Sequence, residues 1–335
     1  MSEVSKEYKK LYHYTTLEGL LGIINTQTLW ATHGRFLNDS SELVLFKDKL
    51  IDLRVPIEKE KLKRLCEQNE DAQKFIDQNG GLDQFSRKCA EVKVETAYAD
   101  LEEIGEFYIF SFCGEDKNNS YVNRNGLLSQ WRGYGAGGGY ALVFDTKRLE
   151  DIMPKEEEKY HYGDMYICEV IYNDDKRRFK QELRPKIDDI FAFMDECEKR
   201  GAKKQEAPED KRVFDHLGKK AFYALTECMG RYKHQGFKEE NEARIVCLPA
   251  IHNEGILGFA KEEGAILDPE KERKIRAKNG SPIPYIGLFD SPDITLPIEK
   301  IIVGPHKEKK ERESALRVML RNTIEIIVSE IPYVG

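Results

Sequence analysis

Short apolar segments, each only a strand long, are separated in this chain by two long stretches too charged to sit in a sheet. Leu11–Tyr14, Leu29–Thr32, Phe107–Cys113, Tyr140–Asp145, Tyr166–Tyr172 and Ala243–Pro249 carry the apolar and aromatic runs of strands. Phe107–Cys113 (FYIFSFC) is apolar enough for a central position. Residues from about 57 to 104, and again from about 176 to 232, are charged and read as helices, the first block interrupted at Asn79-Gly80-Gly81. The tail reads strand, helix, strand: Ile298–Val303, about 307–321, and Thr323–Val328. Thr16 caps a helix whose apolar residues Leu17, Leu20, Leu21 and Ile24 recur at helical spacing, and Asp39-Ser40-Ser41-Glu42 opens another. Strands and helices do not alternate regularly. The expectation is therefore an α+β fold rather than a doubly wound sheet: one domain over 1–335, with helical insertions at about 43–104 and 176–235.

Composition narrows the function classes. The net charge of −7 opposes a dedicated duplex-DNA binder, which must displace counterions with basic side chains. Seven cysteines without a CxxC pair read as free thiols and not as a zinc site, and no metal is expected. No apolar run approaches the bilayer thickness and Met1–Lys10 is polar, so the expectation is a cytoplasmic protein without a membrane partner. Neither GxGxxG nor GxxxxGK[ST] occurs, which removes Rossmann and P-loop readings.

Four constellations could carry chemistry. In Tyr12-His13-Tyr14-Thr15-Thr16 the imidazole and hydroxyls can hold a sugar or an amide; read locally, the same residues are a sheet histidine and a helix cap. In Arg35-Phe36-Leu37-Asn38-Asp39, the side chains of Asn38 and Asp39 can line a pocket or simply make a loop and cap. Leu128-Ser129-Gln130-Trp131-Arg132-Gly133-Tyr134-Gly135, with Gly137-Gly138-Gly139-Tyr140 after it, joins a tryptophan, an arginine fork suited to pyrophosphate and glycines that let backbone approach a ligand. In Phe237-Lys238-Glu239-Glu240-Asn241-Glu242-Ala243-Arg244, a carboxylate at the start of a strand can stabilise an oxocarbenium-like sugar or act as a base. Period 2 places Glu242 and Arg244 on one face, where an ion pair can orient the acid. The basic run from Lys271 to Lys278 reads as a solvated loop, His161 and Asp164 flank a Tyr-Gly turn with no third ligand spaced for a metal, and His306 reads as structural.

Taken together in this order, LYHYT, LWAT, FLNDSSE, LLSQWRGYG with its glycines, F-x-E-E-x-E-x-R and IIVGP resemble a large, poorly characterised bacterial domain-of-unknown-function family over Leu11–Pro305. That motif order is in turn similar to ADP-ribosyltransferases, and the opening resembles DarT-type toxins. The resemblance implies a split β-sheet core and NAD as substrate. It gives His13 the ribose contact, Tyr140 the middle-strand position, Glu242 the catalytic role, and Arg132 (with Arg35 behind it) the site arginine. Tyr12, Tyr14, Thr15, Asn38, Asp39, Gln130, Trp131 and Tyr134 complete the expected NAD site. A toxin or antiviral-defence role follows from the same resemblance. The acceptor would be RNA, DNA or protein, single-stranded nucleic acid being preferred, with an antitoxin as a restraining partner. Two other readings are a non-catalytic nucleotide- or partner-binding module, and a metal-dependent nuclease using Asp39, Glu42 and Glu242.

Overall fold

The computed structural model describes residues 3–37, 41–102, 105–135, 137–201, 208–252, 266–278, 280–321 and 323–332. Asn38 and Asp39 lie outside the described residues. Along the chain run α1 (Val4–Glu7), β1 (Lys10–Thr15), α2 (Leu17–Thr26), β2 (Leu29–His33), α3 (Ser41–Gln68), α4 (Glu70–Gln78), α5 (Gly81–Glu102) and β3 (Tyr108–Gly114). They are followed by α6 (Ser120–Asn125), α7 (Leu128–Tyr134), β4 (Tyr140–Asp145), α8 (Thr146–Lys159), β5 (Tyr162–Glu169) and β6 (Ile171–Tyr172). Next come α9 (Lys176–Arg178), α10 (Arg184–Gly201), α11 (Pro208–Arg231), β7 (Tyr232–Lys233) and β8 (Glu242–Pro249). The chain closes with β9 (Arg273–Lys278), β10 (Ser281–Leu288), β11 (Ile298–Val303), α12 (Lys309–Leu320) and β12 (Glu325–Val328). No helix among the described residues is long and apolar enough to cross a membrane.

The fold is α+β, and the chain divides into two compact units. The first comprises Met1–Leu37, Phe107–Val170 and Gly236–Gly335; the second comprises Asn38–Glu106 and Ile171–Gln235. The charged blocks read as insertions therefore make a unit of their own. In it, Arg54 is wholly buried; its Nε donates to Glu58 Oε1 at 2.7 Å and its Nη2 pairs with Asp195. Lys93 adds a 2.7 Å contact to Glu58. A buried charge persists only when paired in this way.

The first unit holds a ten-stranded mixed sheet, ordered β12-β11-β4-β1-β3-β2-β10-β9, with β8 on β3 and β5 on β8. All pairings are antiparallel except β11 with β12. β3 is the pivot. One edge pairs with β8 from Tyr108↔Cys247 to Cys113↔Glu242. The other edge is shared: Leu11 and Tyr12 of β1 face Gly114 and Cys113, while Thr32 and His33 of β2 face Ile109 and Tyr108. Phe110–Phe112 pair with neither, so the sheet forks there. Leu11, Leu29, Ala31, Phe110, Phe112 and Leu142 are among the residues of the main core on one side. Tyr12, Tyr14, Cys113 and Trp131 pack on the other.

The basic run read as a loop is instead β9, paired with β10. Charged residues suit it because it is the edge of the sheet. Pro282 and Pro284 sit where β10 has run past β2, whose pairing begins at Tyr285↔Thr32. Lys271, just before β9, is buried; its Nζ donates to Glu156 Oε1 at 2.6 Å and lies 3.1 Å from Asp290.

Candidate functional site

His13 stands at the fork. Its Nδ1 lies 3.1 Å from the Ser111 carbonyl oxygen, on the stretch of β3 that neither β1 nor β2 pairs. A carbonyl only accepts, so Nδ1 carries the hydrogen and Nε2 keeps its lone pair. The ring packs at 4.3 Å on Phe110 and 6.4 Å from Phe112. Burial is the main cause that lowers the His13 pKa to about 4; the Ser111 bond opposes it and the Arg276 charge adds to it. The imidazole is neutral at physiological pH.

Beside the fork, β2 and the β9–β10 hairpin place four residues that sequence reading passed over. Arg276 Nη2 donates to Thr32 Oγ1 at 2.8 Å. The guanidinium carbon lies 5.7 Å from each ring centroid of Trp30 and Tyr285, and the two rings are 5.4 Å apart. Arg276, Trp30, Thr32 and Tyr285 are all half-buried. Burial lowers the Arg276 pKa, against a smaller opposing effect of Tyr285.

The motif residues with the acid lie on the opposite side of the sheet from His13. Tyr12, Cys113 and Glu242 are in register across β1, β3 and β8, so their side chains leave by one face. His13, one residue on, leaves by the other. His13 and Glu242, both expected in one NAD site, therefore lie on opposite faces of the sheet. Glu242 is 4% exposed and held by Arg244, with Nε to Oε1 at 2.6 Å and Nη2 to Oε2 at 3.1 Å. This is the pair that period 2 anticipated, but it neutralises Glu242 instead of presenting it to a ligand.

On that face a cavity of about 470 Å³ is lined by Tyr8, Tyr12, Tyr14, Cys113, Asn123 and Glu240, with Glu7, Glu115, Asp116 and Glu239 among its other residues. Tyr12 Oη donates to the Asn123 carbonyl at 3.0 Å, and Tyr14 Oη accepts from Leu127 N–H at 2.8 Å. Burial raises the pKa of both phenols, chiefly by desolvation. Gln130 Nε2 donates to Glu240 Oε1 at 3.0 Å, and both side chains are buried. Of the carboxylates lining the cavity, Glu240 is the buried one that Gln130 holds, two residues before the expected Glu242.

Other expectations are corrected. Trp131, 4% exposed, packs edge-on against Tyr14 at 4.8 Å and donates from Nε1 to the Asn125 carbonyl at 3.0 Å. It is a core residue with no face for stacking. Arg132 and Tyr134 are exposed on the outer side of α7, and Arg35 is exposed on the 3₁₀ turn Gly34–Phe36. Tyr140 faces the main core opposite Thr15 and Val303. Thr15 packs against α2, where a Cβ on Gly19 would fall 2.0 Å from its hydroxyl. Two of the motif's glycines are packed against protein backbone: a Cβ on Gly304 would lie 1.7 Å from the Gly138 carbonyl oxygen, and one on Gly139 2.9 Å from the Thr15 carbonyl oxygen.

No curated protein and no solved structure matches the chain. Residues 130–245 match the family model described as "Protein of unknown function (DUF2971)", a stretch that opens on Gln130 and closes one residue past Arg244.

Proposed function

We propose that the protein is an NAD-dependent ADP-ribosyltransferase, a bacterial toxin or defence effector acting on nucleic acid or protein, with the nicotinamide–ribose half of NAD in the Tyr12–Tyr14 cavity. One observation carries the reading: a carboxylate, Glu240, is fixed by Gln130 at the edge of a cavity walled by buried tyrosines. The nicotinamide ring of NAD is cationic, which suits acidic walls. As the glycosidic bond breaks, nicotinamide leaves neutral with the bonding pair and positive charge moves to the ribose. A pre-positioned carboxylate stabilises that charge without reorganising. The acceptor's nucleophile then bonds to the anomeric carbon, and its proton passes to Glu240 or water.

The forked sheet fits the split core that the resemblance implies. A binding-only reading draws support from one feature, the engagement of Glu242 by Arg244. Nicotinamide release from labelled NAD in the presence of cell lysate separates the two. Glu240→Gln is expected to lower release by roughly a hundredfold or more. Full release by this variant removes the proposed acid, and no release by the native chain with any acceptor leaves binding alone.

A further inference from the structure

We infer a second ligand site, apart from the cavity and independent of the transferase reading: Arg276, Thr32, Trp30 and Tyr285 beside the fork bind a nucleoside phosphate, with Arg276 on the phosphate and the rings on the base.

The charge argues first. Arg54, Arg231, Arg244 and Lys271 are buried and each faces carboxylates. Arg276 is half-buried, yet among the described residues no carboxylate pairs with it, and its Nε is buried with no hydrogen-bond partner. Its neighbours on β9 are already neutralised: Arg273 by Glu270 at 3.1 Å and Lys274 by Glu272 at 3.0 Å. A half-buried guanidinium with no carboxylate beside it favours an anion, and its planar fork matches a phosphate.

Geometry argues second. Thr32 ties down one end of the guanidinium and both rings lie 5.7 Å from its carbon, so part of its side-chain freedom is already lost before binding. Half-buried rings flanking a fixed cation are the arrangement that takes a base beside its phosphate. At the fork the His13 imidazole keeps an acceptor lone pair on Nε2, and Arg276 is near enough for its charge to be felt there. A bound phosphate would cancel that charge.

The same chemistry is presented by a free nucleotide and by one unit of a single strand. The test titrates the full chain with AMP, with short single-stranded DNA and RNA, and with orthophosphate, following tryptophan fluorescence. Trp30 and the core residue Trp131 are the only tryptophans. Quenching by AMP is expected, lost in Trp30→Phe, and weakened roughly tenfold or more in Arg276→Gln but not in Arg273→Gln. Arg276→Lys, which keeps the charge without the fork, should fall between. Quenching by the oligonucleotides with the same dependence, and none by AMP, would equally support the site and assign it to a strand. Equal affinity in Arg276→Gln, orthophosphate binding as tight as AMP, or no quenching by any probe would overturn it. Nicotinamide release by Glu240→Gln plays no part in these outcomes, so either proposal can fail alone.

Discussion

Acidification from pH 7 to pH 4 should weaken the forked sheet through His13. In the unfolded chain an imidazole titrates near pH 6.5. In the fold burial holds it down to about 4, with the Arg276 charge adding to the effect. Between those values the unfolded state binds one proton more, so stability rises with pH. The contribution is complete above pH 6.5 and is lost as pH falls towards 4. The displacement corresponds to about 3 kcal/mol. Both tryptophans belong to the sheet unit, so urea denaturation followed by their fluorescence reports on it. The comparison runs at pH 7, 6, 5 and 4 for the native chain and for His13→Gln, which cannot titrate. Subtracting one curve from the other cancels the carboxylates. The difference should narrow by about 3 kcal/mol across the range. Parallel curves, or an imidazole titration midpoint of 6 or above by NMR, would refute the assignment of His13 as a half-buried neutral group.

Other outcomes follow from the same contacts. Arg244→Met strands the buried Glu242 charge and should cost about 3–5 kcal/mol in denaturant, most of it recovered in Glu242→Gln/Arg244→Met; an equally unstable double variant would argue against the pair. Gly304→Ala must displace the Gly138 carbonyl and should cost about 1–3 kcal/mol by thermal melting. Gly133→Ala, on α7 with open space at its Cβ, should be neutral or stabilising by up to about 1 kcal/mol; equal effects of the two changes would contradict the close backbone contact.

The strands and both insertions were legible because apolar runs and charged blocks differ in composition over long windows. The β9–β10 hairpin was not. Its first strand is an edge and carries basic residues, and its second contains two prolines. The Asn279-Gly280 dipeptide, a hairpin signal, was the cue available. Gly138 and Gly139 signalled close approach, but spacing cannot say to what: Gly138 meets Gly304 in a distant motif, and Gly139 meets Gly135 and Thr15. Pairing His13 with Glu242 failed on parity. Alternation tells which residues of one strand share a face, whereas the face shared across β1, β3 and β8 depends on a register that only pairing reveals. The same parity explains why Arg276 was missed, since nothing local to β9 brings it over Trp30 on β2.

Both excursions into the helical unit leave and rejoin the sheet at residues that are already neighbours. The first departs after His33 and returns at its ladder partner Tyr108. The second departs after Glu169 and returns beside its partner Ala243. Each excursion is in topology an oversized hairpin turn, and the ladder around it closes whatever the turn contains. Lengthening, trimming or exchanging the helices is thus expected to leave strand pairing intact, so the helical unit can diversify while the sheet stays fixed.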